Sequence, residues 1–171
     1  MKVLVTTGAT YPFKQLIQTA LSPPVLECLV SLGYTEVVVQ YGAGGEKIYQ
    51  EGLANCQKYK LQISGFDLSP EIHDLIKQCD LIISHGGTGS ILDALRASKR
   101  LIAVINQDLM DNHQAEIADQ FSSRKYLLVS DATPKSLVAA LQQTKEFRFI
   151  PMPPPEAWQL ASIIDEEAGL M

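Results

Sequence analysis

The chain has 171 residues, of which 46% are hydrophobic and 19% charged, and its formal net charge is −5. That length is enough for one domain with a substantial hydrophobic core. An acidic chain without clustered Lys and Arg is not expected to bind nucleic acid over a large surface. No stretch approaches the roughly 20 apolar residues of a membrane-spanning helix. Cys28, Cys56 and Cys79 lack the spacing of a disulfide framework or a zinc site, so we expect reduced, buried thiols in a cytosolic protein.

Short apolar runs alternate with helical patterns along the chain. Strands are predicted at residues 3–7, 36–41, 60–64, 80–84, 100–105 and 126–129, and helices at 69–78, 90–98, 111–122 and 134–144. Continuously apolar runs such as residues 101–105 are typical of parallel strands that are covered on both faces. The alternation predicts an α/β fold, a Rossmann-like, doubly wound and mainly parallel sheet.

Prolines and glycines set several expected boundaries. Pro23 and Pro24 interrupt what would otherwise be one long first helix, which is therefore broken there or begins after the prolines. The run Gly-Ala-Gly-Gly at 42–45 predicts a mobile loop. The helix at 69–78 is expected to start with Ser69 as its cap and Pro70 in its first position.

The end of the chain has a different composition. Residues 150–155, Ile-Pro-Met-Pro-Pro-Pro, suit neither a helix nor a central strand and predict an extended spacer. Residues 156–168 follow as a predicted amphipathic helix, with one face formed by Ala157, Leu160, Ala161, Ile164 and Ala168. A helix this short is marginal alone. We expect it to dock on a partner, and packing on its own domain is the alternative.

The most informative motif, Ser-His-Gly-Gly-Thr-Gly-Ser, stands at 84–90 between an apolar strand and a helix. This is the edge of a parallel sheet at which ligands bind. Glycines allow the main chain to approach a phosphate, and the helix amino terminus offers free N–H groups and a positive dipole end. The alternative is a tight turn with capping residues. The Walker and G-x-G-x-x-G patterns are absent, which gives no support to ATPase or dinucleotide sites.

Further polar residues follow this motif. Asp93 lies on the first turns of the next helix, where a carboxylate can accept both hydroxyls of a ribose; alternatively it only complements the helix dipole. After the strand at 100–105, the side chains of Asn112, His113 and Gln114 suit a sugar, or else form a solvated helix start.

The run I-S-H-G-G-T-G-S-I-L-D-A-L, followed by L-M-D-N-H-Q-A-E-I-A, resembles the donor site of GT-B glycosyltransferases. Most closely it resembles the small catalytic subunit of the two-chain UDP-N-acetylglucosamine transferase of dolichol-linked oligosaccharide synthesis, a relative of the family 28 carboxyl-terminal domain. The opening V-T-T-G-A-T-Y-P-F and the segment I-S-G-F-D-L-S-P-E-I are similar too, so the resemblance covers essentially the whole chain.

The resemblance implies a role for each part of the site. Residues 1–149 would form the UDP-sugar-binding domain, equivalent to the donor-binding half of a GT-B enzyme. UDP-N-acetylglucosamine would be its donor substrate, with no other cofactor. The main chain at Phe66 and Asp67 would recognise uracil, Asp93 would bind the ribose, and Asn112, His113 and Gln114 would contact the sugar. The residues around the diphosphate would be Gly8, Ala9, Thr10, His85, Gly86, Gly87, Thr88, Gly89 and Ser90.

The same resemblance implies that the active site is incomplete in this chain. A membrane-anchored, acceptor-binding subunit would supply the other domain and the general base, and would hold the chain at the cytosolic face of the endoplasmic reticulum. The pair would add the second N-acetylglucosamine, in β1,4 linkage, to N-acetylglucosaminyl-diphosphodolichol. His85 is a weaker candidate for the base, and His73 is expected to be a surface or packing residue. The sequence has no Asp-x-Asp pair for a metal ion. A nucleotide-sugar epimerase or hydrolase and a non-catalytic nucleotide-sugar-binding regulatory module are the alternatives.

Overall fold

A computed structural model of the protein describes residues 1–8, 13–54, 56–106 and 113–153, without the side chains of 113–116. The strands are β1 (Lys2–Thr6), β2 (Glu36–Gln40), β3 (Gln62–Phe66), β4 (Leu81–His85), β5 (Arg100–Ile105) and β6 (Leu128–Asp131). The helices are α1 (Lys14–Ala20), α2 (Pro23–Ser31), α3 (Glu46–Leu53), α4 (Ile72–Gln78), α5 (Thr88–Arg96), α6 (His113–Ser123) and α7 (Pro134–Gln143).

The six strands form one parallel sheet in the order β3-β2-β1-β4-β5-β6. The chain starts in the middle of the sheet and builds first to one side and then to the other. β1 and β4 are therefore neighbours, with Thr6 opposite Ser84 in their register. This order confirms the predicted doubly wound fold, and it places the topological switch point between the carboxyl ends of β1 and β4.

Both faces of the sheet are covered. Along β1, Val3 and Val5 belong to one hydrophobic cluster with α1, α2, α3 and α7, whereas Leu4 belongs to a second cluster with α4, α5 and α6. The same alternation recurs in β4 and β5. Successive side chains of a strand point to opposite faces, so a strand buried on both sides is apolar at most of its positions. This is the physical reason for the unbroken apolar runs.

The first helical region is broken at the prolines into α1 and α2, which confirms the first of the two alternatives given by the sequence. α2 begins at Pro23 rather than after Pro24, because the first turn of a helix needs no N–H from these residues. α3 was not predicted: the glycines at 42–45 suggested a loop, and the helix begins directly after them, with Tyr49 buried.

Other boundaries shift by two or three residues. The prediction that α4 starts at Ser69 is wrong: the Ser69 hydroxyl accepts a hydrogen bond from the Glu71 N–H at 3.1 Å, which closes a turn before the helix begins at Ile72. β3 and β6 each start two residues later than predicted. The apolar pattern includes Leu61, which packs partly buried against the first cluster, and Leu127, which is buried in the second, but both precede the hydrogen-bonded ladder.

The remaining expectations concern the thiols and the carboxyl-terminal segment. All three cysteines are free and buried, as predicted. The Ile150 N–H donates to the Lys125 carbonyl at 2.9 Å and Met152 packs against the second cluster, so the spacer runs along the domain as far as it is described. The predicted helix at 156–168 lies outside the described residues. Among the helices that are described, none is long and apolar enough to cross a membrane.

Candidate functional site

The candidate site lies at the topological switch point. Beyond β1, Thr7 and Gly8 continue from Thr6; beyond β4, Gly86 and Gly87 continue from His85. The helix α1 that follows β1 packs on one face of the sheet, while α5, which follows β4, packs on the other. The two connections therefore diverge and open a crevice at the sheet edge, which is where ligands bind in folds of this kind.

The His85 side chain fills the space between two glycines. A Cβ atom built on Gly8 would lie 2.5 Å from His85 Cε1, and one built on Gly87 would lie 2.3 Å from His85 Nε2. Any other residue at either position would overlap the ring. Gly8 also has a φ of +82°, a left-handed conformation that favours glycine. Gly8, after β1, and Gly87, within the motif at 84–90, therefore both leave room for the imidazole.

Burial favours the neutral form of the His85 ring. Burial lowers the pKa of His85 below its ordinary value of 6.5, and the nearby main chain of Thr6 opposes this only in part. Nδ1 is buried and has no partner with hydrogen-bond geometry within the part of the chain that the structure describes. A neutral ring contributes no positive charge to the crevice. The assignment of His85 as a general base stays a prediction.

The amino terminus of α5 lies at the same place, and its first N–H groups donate no main-chain hydrogen bond within the described part of the chain. The residue at the N-cap position is Gly87, which has extended dihedral angles and no side chain that could cap the helix. Thr88 and Gly89, the first two residues of the helix, are exposed. The first N–H groups of a helix have no partners within it. Gly86 differs, because it is buried and its N–H donates to the Val104 carbonyl at 3.0 Å. Gly86 therefore fixes the loop, whereas residues 88–90 can receive an anion.

The end of β2 supports this crevice from the side. The hydroxyl of Thr6 donates to the side-chain carbonyl of Gln40, and the hydroxyl of Thr7 donates to the Gln40 main-chain carbonyl at 3.1 Å. A Cβ atom at Gly42 would be 3.0 Å from the Gly8 carbonyl oxygen. The turn after β1 is thus held by polar contacts and close main-chain packing, which leaves little freedom at Gly8.

The loop predicted to recognise a base lies at the end of β3. The Phe66 carbonyl accepts a hydrogen bond from the Tyr41 N–H at 3.0 Å, and the Phe66 ring packs against the second cluster. Asp67 is exposed. The main chain of Asp67 is therefore the more open part of this loop. Phe66 is three strands from His85 in the sheet, a span of roughly 14 Å at the usual strand spacing.

Asp93 faces α4 across a cleft between α4 and α5. Its side chain is 33% exposed, and its Oδ2 atom is 3.8 Å from Nδ1 of His73, which is 63% exposed. The cleft has a volume of about 370 Å³ and is lined by His73, Lys77, Asp93, Arg96 and Ala97. Sequence reasoning treated His73 as a surface or packing residue. No local signal indicates its contact with Asp93, because the two residues lie on different helices.

Several predicted site residues lie at the limit of the described structure. Ala9, Thr10 and Asn112 are outside the described residues. His113 and Gln114 form the first turn of α6, which places their main chain beyond the carboxyl end of β5, beside the glycine motif at the end of β4. Their side chains are not described, so their contact with a sugar stays a prediction.

Comparison with known proteins agrees with this architecture. Residues 2–157 match the family described as glycosyltransferase family 28 C-terminal domain. The chain is 40% identical over 172 residues to the UDP-N-acetylglucosamine transferase subunit ALG13 of Yarrowia lipolytica, covering 100% of this chain and 86% of the relative. It is 34% identical over 177 residues to the protein of that name from Saccharomyces cerevisiae, covering 88% of each.

Two solved structures share the fold. The NMR solution structure of ALG13 superposes with a TM-score of 0.74 at 30% identity, over 95% of this chain and 94% of that chain. The crystal structure of Acinetobacter baumannii MurG gives a TM-score of 0.66 at 17% identity, over 84% of this chain and 41% of that chain, which shows the fold alone. With its parallel Rossmann-like sheet and a family match over residues 2–157, the chain belongs to the glycosyltransferase family 28 C-terminal domains.

Proposed function

We propose that this chain is the donor-binding subunit of a UDP-N-acetylglucosamine transferase. The observation that carries the proposal is the uncapped amino terminus of α5 at the switch point of a family 28 domain. Relatives that are 34–40% identical over most of the chain bear the name of UDP-N-acetylglucosamine transferase subunits, which supports the choice of donor.

In this proposal the diphosphate of the donor lies against residues 88–90. The free N–H groups and the helix dipole of α5 stabilise the negative charge that develops on the departing UDP. Gly87 and Gly8 allow close approach because neither carries a side chain. The neutral His85 ring keeps both loops in place without repelling or neutralising the phosphates.

The nucleoside extends from this point toward β3. Asp93, on the second turn of α5, accepts the ribose hydroxyls, and the main chain of Asp67 pairs with the edge of uracil. Asp67 follows β3 and the start of α5 follows β4 at the same edge of the parallel sheet, and Asp93 lies on the side of α5 that faces α4, which is the path we propose for the nucleoside. The N-acetylglucosamine lies toward the start of α6, where His113 and Gln114 follow β5.

Transfer also requires an acceptor site and a base, which we assign to a second, membrane-anchored subunit. The predicted helix at 156–168 is the segment proposed to dock on that subunit. The proposed acceptor is N-acetylglucosaminyl-diphosphodolichol at the cytosolic face of the endoplasmic reticulum, and the product carries a second N-acetylglucosamine in β1,4 linkage. The support for this reaction is the resemblance of the sequence motifs to that family.

Ligand binding tests the donor site first. The full chain is titrated with UDP, UDP-N-acetylglucosamine and ADP, and binding is monitored by the NMR chemical shifts of the backbone amides. The two uridine nucleotides should bind and shift the amide signals of residues 86–90. ADP should bind at least tenfold more weakly, because the Asp67 main chain is matched to uracil. Equal binding of ADP and UDP would contradict the assignment of the base loop.

Reconstitution tests the reaction. The tagged full chain should co-purify a membrane protein, and only the complex should transfer N-acetylglucosamine from the donor to the lipid-linked acceptor. A chain truncated after Phe149 that remains folded should lose the partner. If the truncated chain keeps both partner and activity, the docking role of 156–168 is wrong. A complex that binds UDP-N-acetylglucosamine without transferring it would favour the regulatory module.

A further inference from the structure

The α4–α5 cleft contains a histidine–carboxylate contact that the proposed reaction does not yet use. Nδ1 of His73 on α4 lies 3.8 Å from Oδ2 of Asp93 on α5. Asp93 is the residue proposed to accept the ribose hydroxyls. No other ion pair of Asp93 is found among residues 1–8, 13–54, 56–106 and 113–153. His73 is therefore the ion-pairing side chain that the described residues place beside this carboxylate.

The other charged groups of the cleft are engaged elsewhere or farther from Asp93. On α4, Lys77 pairs with Asp74 at 2.9 Å. On α5, Arg96 lines the cleft one turn beyond Asp93 and forms no ion pair within the described part of the chain. Among the basic side chains of the described residues, His73 is the one found within 4 Å of the Asp93 carboxylate.

We propose that His73 is a donor-positioning residue, which holds the Asp93 carboxylate in the orientation that accepts the ribose hydroxyls; this rests on the proposed UDP site. A carboxylate has about four acceptor positions, so one oxygen can accept from Nδ1 while the others accept from the ribose. The present distance is too long for a hydrogen bond, and a shift of α4 toward α5 by roughly 1 Å would form one.

The placement of α4 makes that shift feasible. α4 has seven residues and packs on the sheet through buried Ile76 and partly buried Ile72 and Leu75, whereas His73 is 63% exposed. A rotation of the exposed His73 side chain can therefore supply part of the approach that the helix does not. α4 also follows directly on the loop at Asp67 that is proposed to contact uracil. A nucleotide that engages this loop and Asp93 together therefore bridges both sides of the cleft, and His73 lies between those two contacts.

The test is the discrimination between UDP and 2′,3′-dideoxy-UDP by the full chain, measured as dissociation constants by calorimetry or NMR. The unmodified chain should bind UDP at least about tenfold more tightly, because the dideoxy compound leaves the Asp93 carboxylate without its partners. His73→Ala should weaken UDP binding by about threefold, as expected for an exposed pair. It should leave the binding of dideoxy-UDP unchanged. Since His73 is largely exposed, the variant should fold normally.

Two further variants make the result specific. His73→Asn retains an N–H donor near the position of Nδ1 and should restore most of the discrimination. Lys77→Ala removes a positive charge from the same cleft without touching the pair and should leave the discrimination within twofold of its original value. In an Asp93→Ala background, His73→Ala should have no additional effect.

The possible failures are distinguishable. If His73→Ala weakens both ligands equally, or if Lys77→Ala reduces the discrimination as much, the positioning role is overturned while the proposed function stands. If the unmodified chain binds UDP and dideoxy-UDP equally, the ribose role of Asp93 fails, and that of His73 with it. If the full chain does not bind UDP at all, the proposed donor site itself is wrong.

Discussion

Replacing Gly87 by alanine should displace the His85 ring and destabilise the protein. The dihedral angles of Gly87, φ −71° and ψ 129°, are open to any residue, so the substitution adds no main-chain strain. The new Cβ atom would lie 2.3 Å from His85 Nε2 and 2.9 Å from Cδ2, whereas ordinary contacts begin at 3.4 Å. The overlap is therefore about 1 Å at the closest atom, and it is purely steric.

The ring has little room to move away. The ring also lies against Gly8, where a Cβ atom would be only 2.5 Å from His85 Cε1. Relief requires rotation of the ring or a shift of the loop, which typically costs about 1–3 kcal/mol in a well-packed region. For a chain of this size such a cost lowers the melting temperature by roughly 2–12 °C. Differential scanning calorimetry of the full-length variant measures this shift.

Two comparisons isolate the cause. Gly89, two residues later in the same motif, is exposed and has no atom within 4 Å of an added Cβ, so Gly89→Ala should raise stability by about 0.5–1 kcal/mol through helix propensity. In a His85→Ala background, Gly87→Ala should cost little, because the ring is gone. The steric reasoning is refuted if Gly87→Ala melts at the original temperature, or if its cost is unchanged without His85.

Three further predictions concern the site and the buried groups. Asp93→Ala should lower the transferase activity of the reconstituted complex by more than tenfold and leave the melting temperature unchanged, since a charge-assisted hydrogen bond contributes about 1.5–3 kcal/mol. Unchanged kinetics would leave Asp93 only the role of complementing the helix dipole. Burial lowers the pKa of His85, so the unfolded chain takes up a proton as the pH falls through 6.5 while the native chain resists it, and stability decreases below that pH. The urea midpoint should therefore be lower at pH 5.5 than at pH 7.5, and this difference should be smaller in His85→Gln. Burial raises the pKa of the Cys79 thiol to about 11 and also raises the pKa values of Cys28 and Cys56. A thiol reagent at pH 8 should therefore react slowly with the native protein and rapidly with the protein unfolded in guanidinium. Rapid reaction of the native protein would contradict the burial of these thiols.

Much of the fold was determined by the sequence alone, because the signals for it are local. Apolar runs of five or six residues, interrupted by helical patterns, predicted the six strands and the doubly wound class. The glycine motif at 84–90 was placed correctly at the end of a strand and the start of a helix. α3 was missed because it begins directly after a glycine-rich run, and its amphipathic pattern is only eight residues long.

Only the tertiary structure decided which residues meet. Gly8 and His85 are far apart in the chain and touch because β1 and β4 are neighbours, and strand order depends on long-range pairing that no local pattern encodes. The contact of His73 with Asp93 likewise depends on how α4 and α5 pack on one face of the sheet. A glycine in the sequence indicates that the main chain needs freedom, but the packed structure shows which side chain needs the space that a Cβ atom would fill.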